Sequence, residues 1–239
     1  MKPESLLKML TGASIGSRRR VADAIKQERV AVNGQPVTDF RYPVNIGDSI
    51  TLDGKSINLK PEETVTLLLN KPPDIMSTTR DERGRRTVID LIPEKYRRLR
   101  LHPVGRLDRD STGLLLLTND GALTYRLTHP RFEHDKEYLV QLSVKLKSEA
   151  KRKLEKGLKL EDGMTSPAKV REIDSPPFNY SITIHEGRKR QVRRMFASLG
   201  HEVLALKRIR MGNLGLGSLA EGRIRQLSSR EVRSLLNQT

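Results

Sequence analysis

Four consecutive leucines, Leu114 to Leu117, follow a turn that reads Gly105-Arg106-Leu107-Asp108-Arg109-Asp110-Ser111-Thr112-Gly113 and run on into Thr118-Asn119-Asp120-Gly121. An unbroken apolar run bounded by turn residues is the pattern of a strand buried on both faces, although periodicity alone also admits a buried helix. Gly113 and the Asn119-Asp120-Gly121 turn supply the breaks. A buried strand therefore anchors a loop whose carboxylate sits between Arg106 and Arg109, as scaffolds commonly aim a reactive group. The plainer account makes Arg106 and Asp108 a simple loop ion pair.

The seventeen residues from Gly105 to Gly121 resemble the signature of the RNA pseudouridine synthases, in the branch typified by the RsuA and RluB enzymes. The Gly-Arg-Leu-Asp core, Thr112-Gly113, the leucine run and the closing Asn-Asp-Gly all match. The resemblance implies that Asp108 is the essential catalytic residue. Lys136-Glu137-Tyr138 resembles the family's second motif, whose tyrosine packs on the target base. Gly187-Arg188-Lys189-Arg190-Gln191-Val192-Arg193-Arg194 resembles the third, implying that Arg193 pairs with the catalytic aspartate. Leu206 corresponds to an apolar residue bordering that base. Family members usually carry glycine two residues after a Lys-Pro; here Lys71-Pro72 is followed by Asp74, which leaves the turn's shape open.

Read as residues, these segments supply what the isomerisation needs. Breaking a glycosidic N–C bond and rejoining the base through carbon requires no redox agent or metal. It requires a group that attacks the nucleoside, a pocket that retains the free base, and access to a base normally stacked. Asp108 is the candidate nucleophile, its ionised form favoured by Arg106, Arg109 and Arg193. Tyr and Phe number five and four, so one placed ring, Tyr138, fits a one-nucleotide pocket better than a lining of many stacked bases. At helical spacing Val192, Met195, Phe196 and Leu199 form a buried stripe, with Arg193 at its border and Arg190 and Arg194 pointing into solvent. Arg188, Lys189, Arg190 and Arg194 read as phosphate contacts. Arg106 and Lys136 join Leu206 among the substrate-binding candidates.

Charge points to the same class of partner. Lysine and arginine number 45 against 29 acidic residues, a net charge of +16 that favours polyanions, nucleic acid first. The absence of cysteine excludes disulfides, Cys-ligated zinc and a thiol nucleophile, and fits a reducing compartment. The five histidines show no i,i+4 pair, so neither a metal nor a cofactor is expected. No apolar stretch approaches the ~20 residues that span a bilayer. The opening Met1-Lys2-Pro3-Glu4 lacks a secretory layout, so the reading is a soluble, cytoplasmic protein, monomeric and without a membrane partner.

Ahead of the motifs, residues 5–10 and 17–28 read as helices, the second N-capped by Ser17. Val30-Ala31-Val32-Asn33-Gly34 signals a hairpin, and a strand over 48–52 ends at Asp53-Gly54. The segment resembles the small RNA-binding module of the fourth protein of the ribosomal small subunit, through Ser17-Arg18-Arg19, the Asn33-Gly34 hairpin and Gly47-Asp48-Ser49-Ile50. Arg18, Arg19, Arg20 and Lys26 cluster beside one helix as a phosphate-contacting surface. The expected domains are residues 1–60, then a linker at Lys60-Pro61-Glu62-Glu63, then residues 64–239.

The second domain opens with a strand over 64–70. Residues 80–109, with Arg83-Gly84-Arg85-Arg86, read as a flexible basic loop in contact with RNA. Beyond the central motif come a helix over 121–128 and a strand over 136–143. A helix over 148–156 follows, N-capped by Ser148 and closed by Gly157. Strands over 168–173 and 178–185 precede a helix over 188–199 ended by Gly200, a strand over 203–209 and a last helix opened by Ser228-Ser229-Arg230-Glu231. Strands between scattered helices, without regular βαβ alternation, predict an α+β domain on a largely antiparallel mixed sheet. The expected function is pseudouridine formation in ribosomal RNA, with the target uridine flipped out. One rival is a non-catalytic ribosome-assembly factor on the same fold. The other, a carboxylate-dependent hydrolase, lacks a partner acid or metal ligands.

Overall fold

Leucines from two neighbouring strands alternate between two hydrophobic layers, and the second domain is built outward from them. In a computed structural model describing residues 4–13, 15–45, 47–59 and 62–237, the chain forms two compact units that divide between Thr64 and Val65. Lys60 and Pro61 of the expected linker lie outside the described residues.

In the first unit, α1 (Leu6–Gly12) and α2 (Arg18–Lys26) cover a sheet of β1 (Val30–Val32), β2 (Gln35–Pro36), β3 (Ile50–Leu52) and β4 (Lys55–Ser56). The Ser17 hydroxyl accepts the Arg20 amide hydrogen at 3.3 Å, capping α2. Asn33 and Gly34, with φ of 50° and 80°, make the tight hairpin turn that the Asn-Gly pair predicts. Asp53 and Gly54 repeat it with φ of 51° and 74°, so the pair expected only to end a strand closes a second hairpin. The Asn33 side-chain amide donates to Asp48 at 2.9 Å, fastening the first turn to the loop before β3. Arg18, Arg19, Arg20 and Lys26 are exposed and make no ion pair among the described residues.

In the second unit the central strands are β5 (Thr66–Lys71) and β6 (Thr112–Thr118). They pair antiparallel with Leu67 opposite Leu117, Leu68 opposite Leu116 and Leu69 opposite Leu115. Because side chains alternate across a sheet, Leu67, Leu69, Leu115 and Leu117 enter one core, and Leu68, Leu114 and Leu116 enter the other. Burial on both faces explains why the run shows no polar alternation.

The remaining elements are α3 (Gly121–Thr128), β7 (Lys136–Leu142), α4 (Ser148–Lys156), β8 (Lys169–Ser175), β9 (Phe178–Ile184), α5 (Gln191–Ala197), β10 (Val203–Met211), β11 (Ile224–Gln226) and α6 (Ser229–Leu236). Strand order is β8-β9-β7-β10-β6-β5-β11, with short strands at His102–Pro103 and Leu214–Gly215 added at the side. Among the described strands of this sheet only the β10–β6 pairing is parallel, so the mixed, largely antiparallel sheet of an α+β domain is as expected. That parallel pairing is close: a Cβ on Gly113 would lie 2.2 Å from the Arg208 carbonyl oxygen.

Three local expectations need correction. The stretch 80–109 is structured rather than a loose loop. Asp81 accepts the Arg83 and Arg85 amides at 3.0 Å each, a turn at Val88–Leu91 buries Val88, and Ile92 joins the core. Residue Ser148 is the first helical residue of α4; the cap position is Lys147, which gives no side-chain cap bond. Helix α5 begins at Gln191 rather than Arg188, because Arg190 takes a left-handed φ of 50° that a continuing helix excludes.

Candidate active site

The Asp108 turn is clamped from both sides. Before it, the Ser77 hydroxyl donates to the Leu107 carbonyl at 2.9 Å and accepts the Leu107 amide at 3.2 Å. After it, the Lys71 ammonium donates to the carbonyls of Pro72, Arg109 and Ser111 at 2.9, 3.1 and 2.9 Å. Lys71 is fully buried at the end of β5, opposite Gly113. Burial pushes its pKa down to about 8, against the opposing pull of Asp110, Asp74, Asp108 and Glu221.

Asp74 takes φ 61°, the left-handed conformation a glycine would adopt. Its amide donates to the Arg109 carbonyl at 2.9 Å and its carboxylate pairs with the Arg109 guanidinium at 2.7 Å. The substitution for glycine therefore keeps a tight turn and adds a tie to the Asp108 loop.

Asp108 lines a cleft of about 960 Å³ together with Arg106, Lys136, Tyr138, Leu206, Arg188, Lys189 and Arg190. Cross-strand register gathers this wall. Residue Tyr138 of β7 lies opposite Ile182 of β9 and Arg208 of β10, Val140 lies opposite Leu206, and Lys136 is two residues from Tyr138 on the same face. The Lys136 ammonium donates to the carbonyls of His134 and His185 at 2.9 and 3.3 Å. Burial, then the neighbouring Arg208 charge, pushes its pKa down to about 8, with Asp135 and Glu186 opposing.

Sequence reasoning missed Arg208. Its side chain is 2% exposed and lines the cleft; Nε donates to the Leu114 carbonyl at 2.7 Å, while Nη2 is buried without a partner. Ser111 Oγ and His134 Nδ1 are likewise unsatisfied and belong to residues lining the same cleft. Unpartnered buried polar atoms concentrated around one opening mark a site built for something else to fill. Lys207, Arg208 and Arg210 follow closely in one strand, and nothing in that run of cations tells which of them is buried.

The expected arginine partners are arranged differently. Arg193 does not line this cleft: its Nη2 lies 3.1 Å from Asp110 Oδ2, and its Nη1 donates to the Val203 carbonyl at 2.6 Å. Arg190 also reaches Asp110, at 3.3 Å, instead of pointing free into solvent. Along the turn Asp108 faces the cleft while Asp110 faces α5, so the helix arginines meet the second carboxylate first. Together they hold the Asp110 carboxyl below its ordinary range, although partial burial, the largest influence, works the other way. Arg109 is spent on Asp74, and Asp108 has no ion pair among the described residues, so the Arg106–Asp108 pair is also absent.

Three of the four cations read as phosphate contacts also have acidic partners within the chain. Arg188 pairs with Glu186 and Asp162 at 3.1 and 3.3 Å and bonds the carbonyls of Asp162, Gly163 and Met164. Arg194 pairs with Asp162 at 2.8 Å and bonds the Lys189 carbonyl. Those acceptors leave Lys189, exposed and unpaired among the described residues, as the uncommitted cation of the four. No described group of three or more His, Asp or Glu could hold a metal, and no described helix is long and apolar enough to cross a membrane.

Residues 65–198 match the family described as RNA pseudouridylate synthase, and residues 6–50 match the S4 domain. The chain belongs to the RNA pseudouridylate synthase family. It is an isomerase that turns RNA uridine into pseudouridine, with an S4 domain ahead of the synthase domain. The protein is 41% identical to ribosomal large subunit pseudouridine synthase B of Bacillus subtilis (strain 168), over 97% of this chain and 95% of that one. An RNA pseudouridine synthase of Aquifex aeolicus (strain VF5) is 38% identical over 95% of this chain and 92% of its own. A crystal structure of a pseudouridylate synthase superposes with a TM-score of 0.70 at 33% identity, covering 97% of this chain and 99% of the other. Membership of this family sets aside the hydrolase reading.

Proposed function

We propose that this synthase acts on a flipped-out uridine of large-subunit ribosomal RNA, with Asp108 as the group that engages the nucleoside. The observation that carries the proposal is the clamped turn that sets Asp108 on the cleft beside Tyr138, with no guanidinium already bound to it. The names of relatives that act on the ribosomal large subunit support the choice of RNA. The exposed Arg18, Arg19 and Arg20 on α2 supply a phosphate-contacting face suited to a structured RNA.

The reaction breaks the C1′–N1 bond, and the electron pair leaves with the uracil, where O2 and O4 share the charge. The Asp108 carboxylate meets the electron deficiency left on the ribose, either by bonding C1′ or by taking the C2′ proton. Lys136 and Arg208 place two positive charges at the cleft wall, where a low-dielectric setting strengthens their hold on the departing base anion. Tyr138 and Leu206 pack on the ring as it turns. C5 then bonds C1′ as the Asp108–C1′ bond breaks or, on the other route, as Asp108 returns the proton to C2′; the C5 proton then leaves and N1 takes one up, so no proton is gained or lost overall. Arg193 acts at one remove: with Arg190 it pins Asp110 and thereby the far side of the loop, a positioning role.

The test is a map of pseudouridines in ribosomal RNA from cells with and without the gene. One large-subunit uridine should remain unmodified without it. A lost pseudouridine confined to transfer RNA or to small-subunit RNA would overturn the choice of substrate.

A further inference from the structure

A cluster of rings stands exposed beside the cleft, where the core has no use for it. Helix α3 meets its packing needs through Leu123 and Leu127, 3% and 1% exposed. One turn apart on its outer side, Tyr125 and His129 bring their ring centroids to 4.8 Å. The turn Pro130–Phe132 then folds Phe132 back, edge-on to Tyr125 at 5.8 Å. The Arg131 guanidinium lies over both rings, 4.5 Å from the Phe132 centroid and 5.3 Å from that of Tyr125. Tyr125 is 46% exposed, and Arg126, His129 and Arg131 are exposed beside it. Neither Arg126 nor Arg131 has an ion-pair partner among the described residues. The same segment supplies Thr128, His129 and Pro130 to the cleft lining, so the cluster is continuous with the opening that takes the uridine.

We infer that Tyr125, His129, Phe132 and Arg131 form a stacking platform for an unpaired RNA base next to the target uridine. Ring faces and a guanidinium plane both accept a nucleobase, and stacking of this kind tolerates any base. Pulling a uridine out of its stack leaves its neighbour exposed on one side, and a platform at the cleft mouth covers that face. The unpaired cations Arg126 and Arg131 suit the flanking phosphates. An apolar protein surface would instead leave both guanidinium groups to be desolvated without an acceptor. The inference rests on RNA entering this cleft and not on the role given to Asp108.

The experiment is a double-mutant cycle on the full chain. Its probe is a fragment of large-subunit ribosomal RNA spanning the modified uridine, or the matching fragment of whichever RNA the mapping identifies. Copies carry an abasic nucleotide at each flanking position in turn. Tyr125→Ala should weaken binding of the intact fragment by about 5- to 100-fold, and Tyr125→Trp should restore it. One abasic copy should bind the wild type and Tyr125→Ala equally. Should Tyr125→Ala unfold the chain, Arg131→Gln enters the same cycle and carries the same expectation of a smaller penalty on that abasic copy. A full penalty on every abasic copy, or none on the intact RNA, would overturn the platform. Pseudouridine formation by the wild type is read separately, so the platform and the choice of substrate RNA fail independently.

Discussion

Arg193 and Asp110 form an ion pair at 3.1 Å, two residues beyond the carboxylate that the family resemblance assigns to this arginine. The pair ties α5 to the loop that carries Asp108, so its loss should reach activity through loop position. The Asp110 carboxyl lies below its ordinary value of 3.8: its partial burial opposes that shift, and the Arg190 and Arg193 charges outweigh the burial. A carboxyl lowered by folding adds stability that is complete above its unfolded value and is lost as pH falls through the folded one. Asp110 is 46% exposed, so solvent limits this contribution to about 1 kcal/mol. Urea unfolding of the wild type and Asp110→Asn should differ by that amount near about pH 6, and the difference should shrink as pH falls below 3.8.

Lys71 and Lys136, both pushed down to about 8, move stability and rate in opposite directions as pH rises. Between about 8 and their ordinary value of 10.5 the unfolded chain binds more protons than the folded one, so these two groups make the fold more stable as pH rises. Over the same window Lys71 loses one of its three donor hydrogens and Lys136 loses its charge beside the base. Single-turnover rates should therefore fall above about pH 8 while the melting temperature does not fall with them. A rate that stays flat to about pH 9.5 would remove both lysines from the account.

Gly113→Ala should be among the most damaging small substitutions. The residue holds φ 99°, and an added Cβ meets backbone atoms of Arg208 at 2.2 and 2.8 Å, where no side chain can swing aside. The β6–β10 pairing must open, and with it the seat of Lys71. We expect a loss of more than about 2 kcal/mol in urea unfolding, together with loss of activity.

Much of this molecule is legible in its sequence because strand burial and turn chemistry are local signals. The Leu114–Leu117 run, the Asn33-Gly34 turn and the Ser228–Glu231 capping box all stand where their residues place them. The partnership of the helix arginines is not local. It depends on which side of a turn each carboxylate faces, and a left-handed Arg190 shortens α5 in a way that hydrophobic spacing does not register. Arg208 and Lys71 escape for a related reason: each is a cation buried by register against backbone carbonyls, with no acidic neighbour in sequence to announce it. The small number of aromatics argues against a lining of many stacked bases, and nothing in the sequence signals that the fold gathers Tyr125, His129 and Phe132 into one cluster.

The S4 domain should carry its share of RNA affinity as charge. Replacing Arg18, Arg19 and Arg20 together by alanine should weaken binding and reduce the slope of log K against log salt by about 0.7 to 0.9 for each phosphate no longer neutralised. An unchanged slope would mean that the exposed face of α2 does not touch the RNA backbone.

Single-turnover pseudouridine formation by Asp108→Asn and Asp110→Asn, measured beside RNA affinity, tests the central claim most directly. Asp108→Asn should bind RNA within about threefold of wild type and form no pseudouridine, a loss of at least about 10⁴-fold. Asp110→Asn should lose no more than about tenfold, because its amide still accepts from the two arginines. Turnover by Asp108→Asn near the wild-type rate, or an equal collapse in Asp110→Asn, would contradict the account.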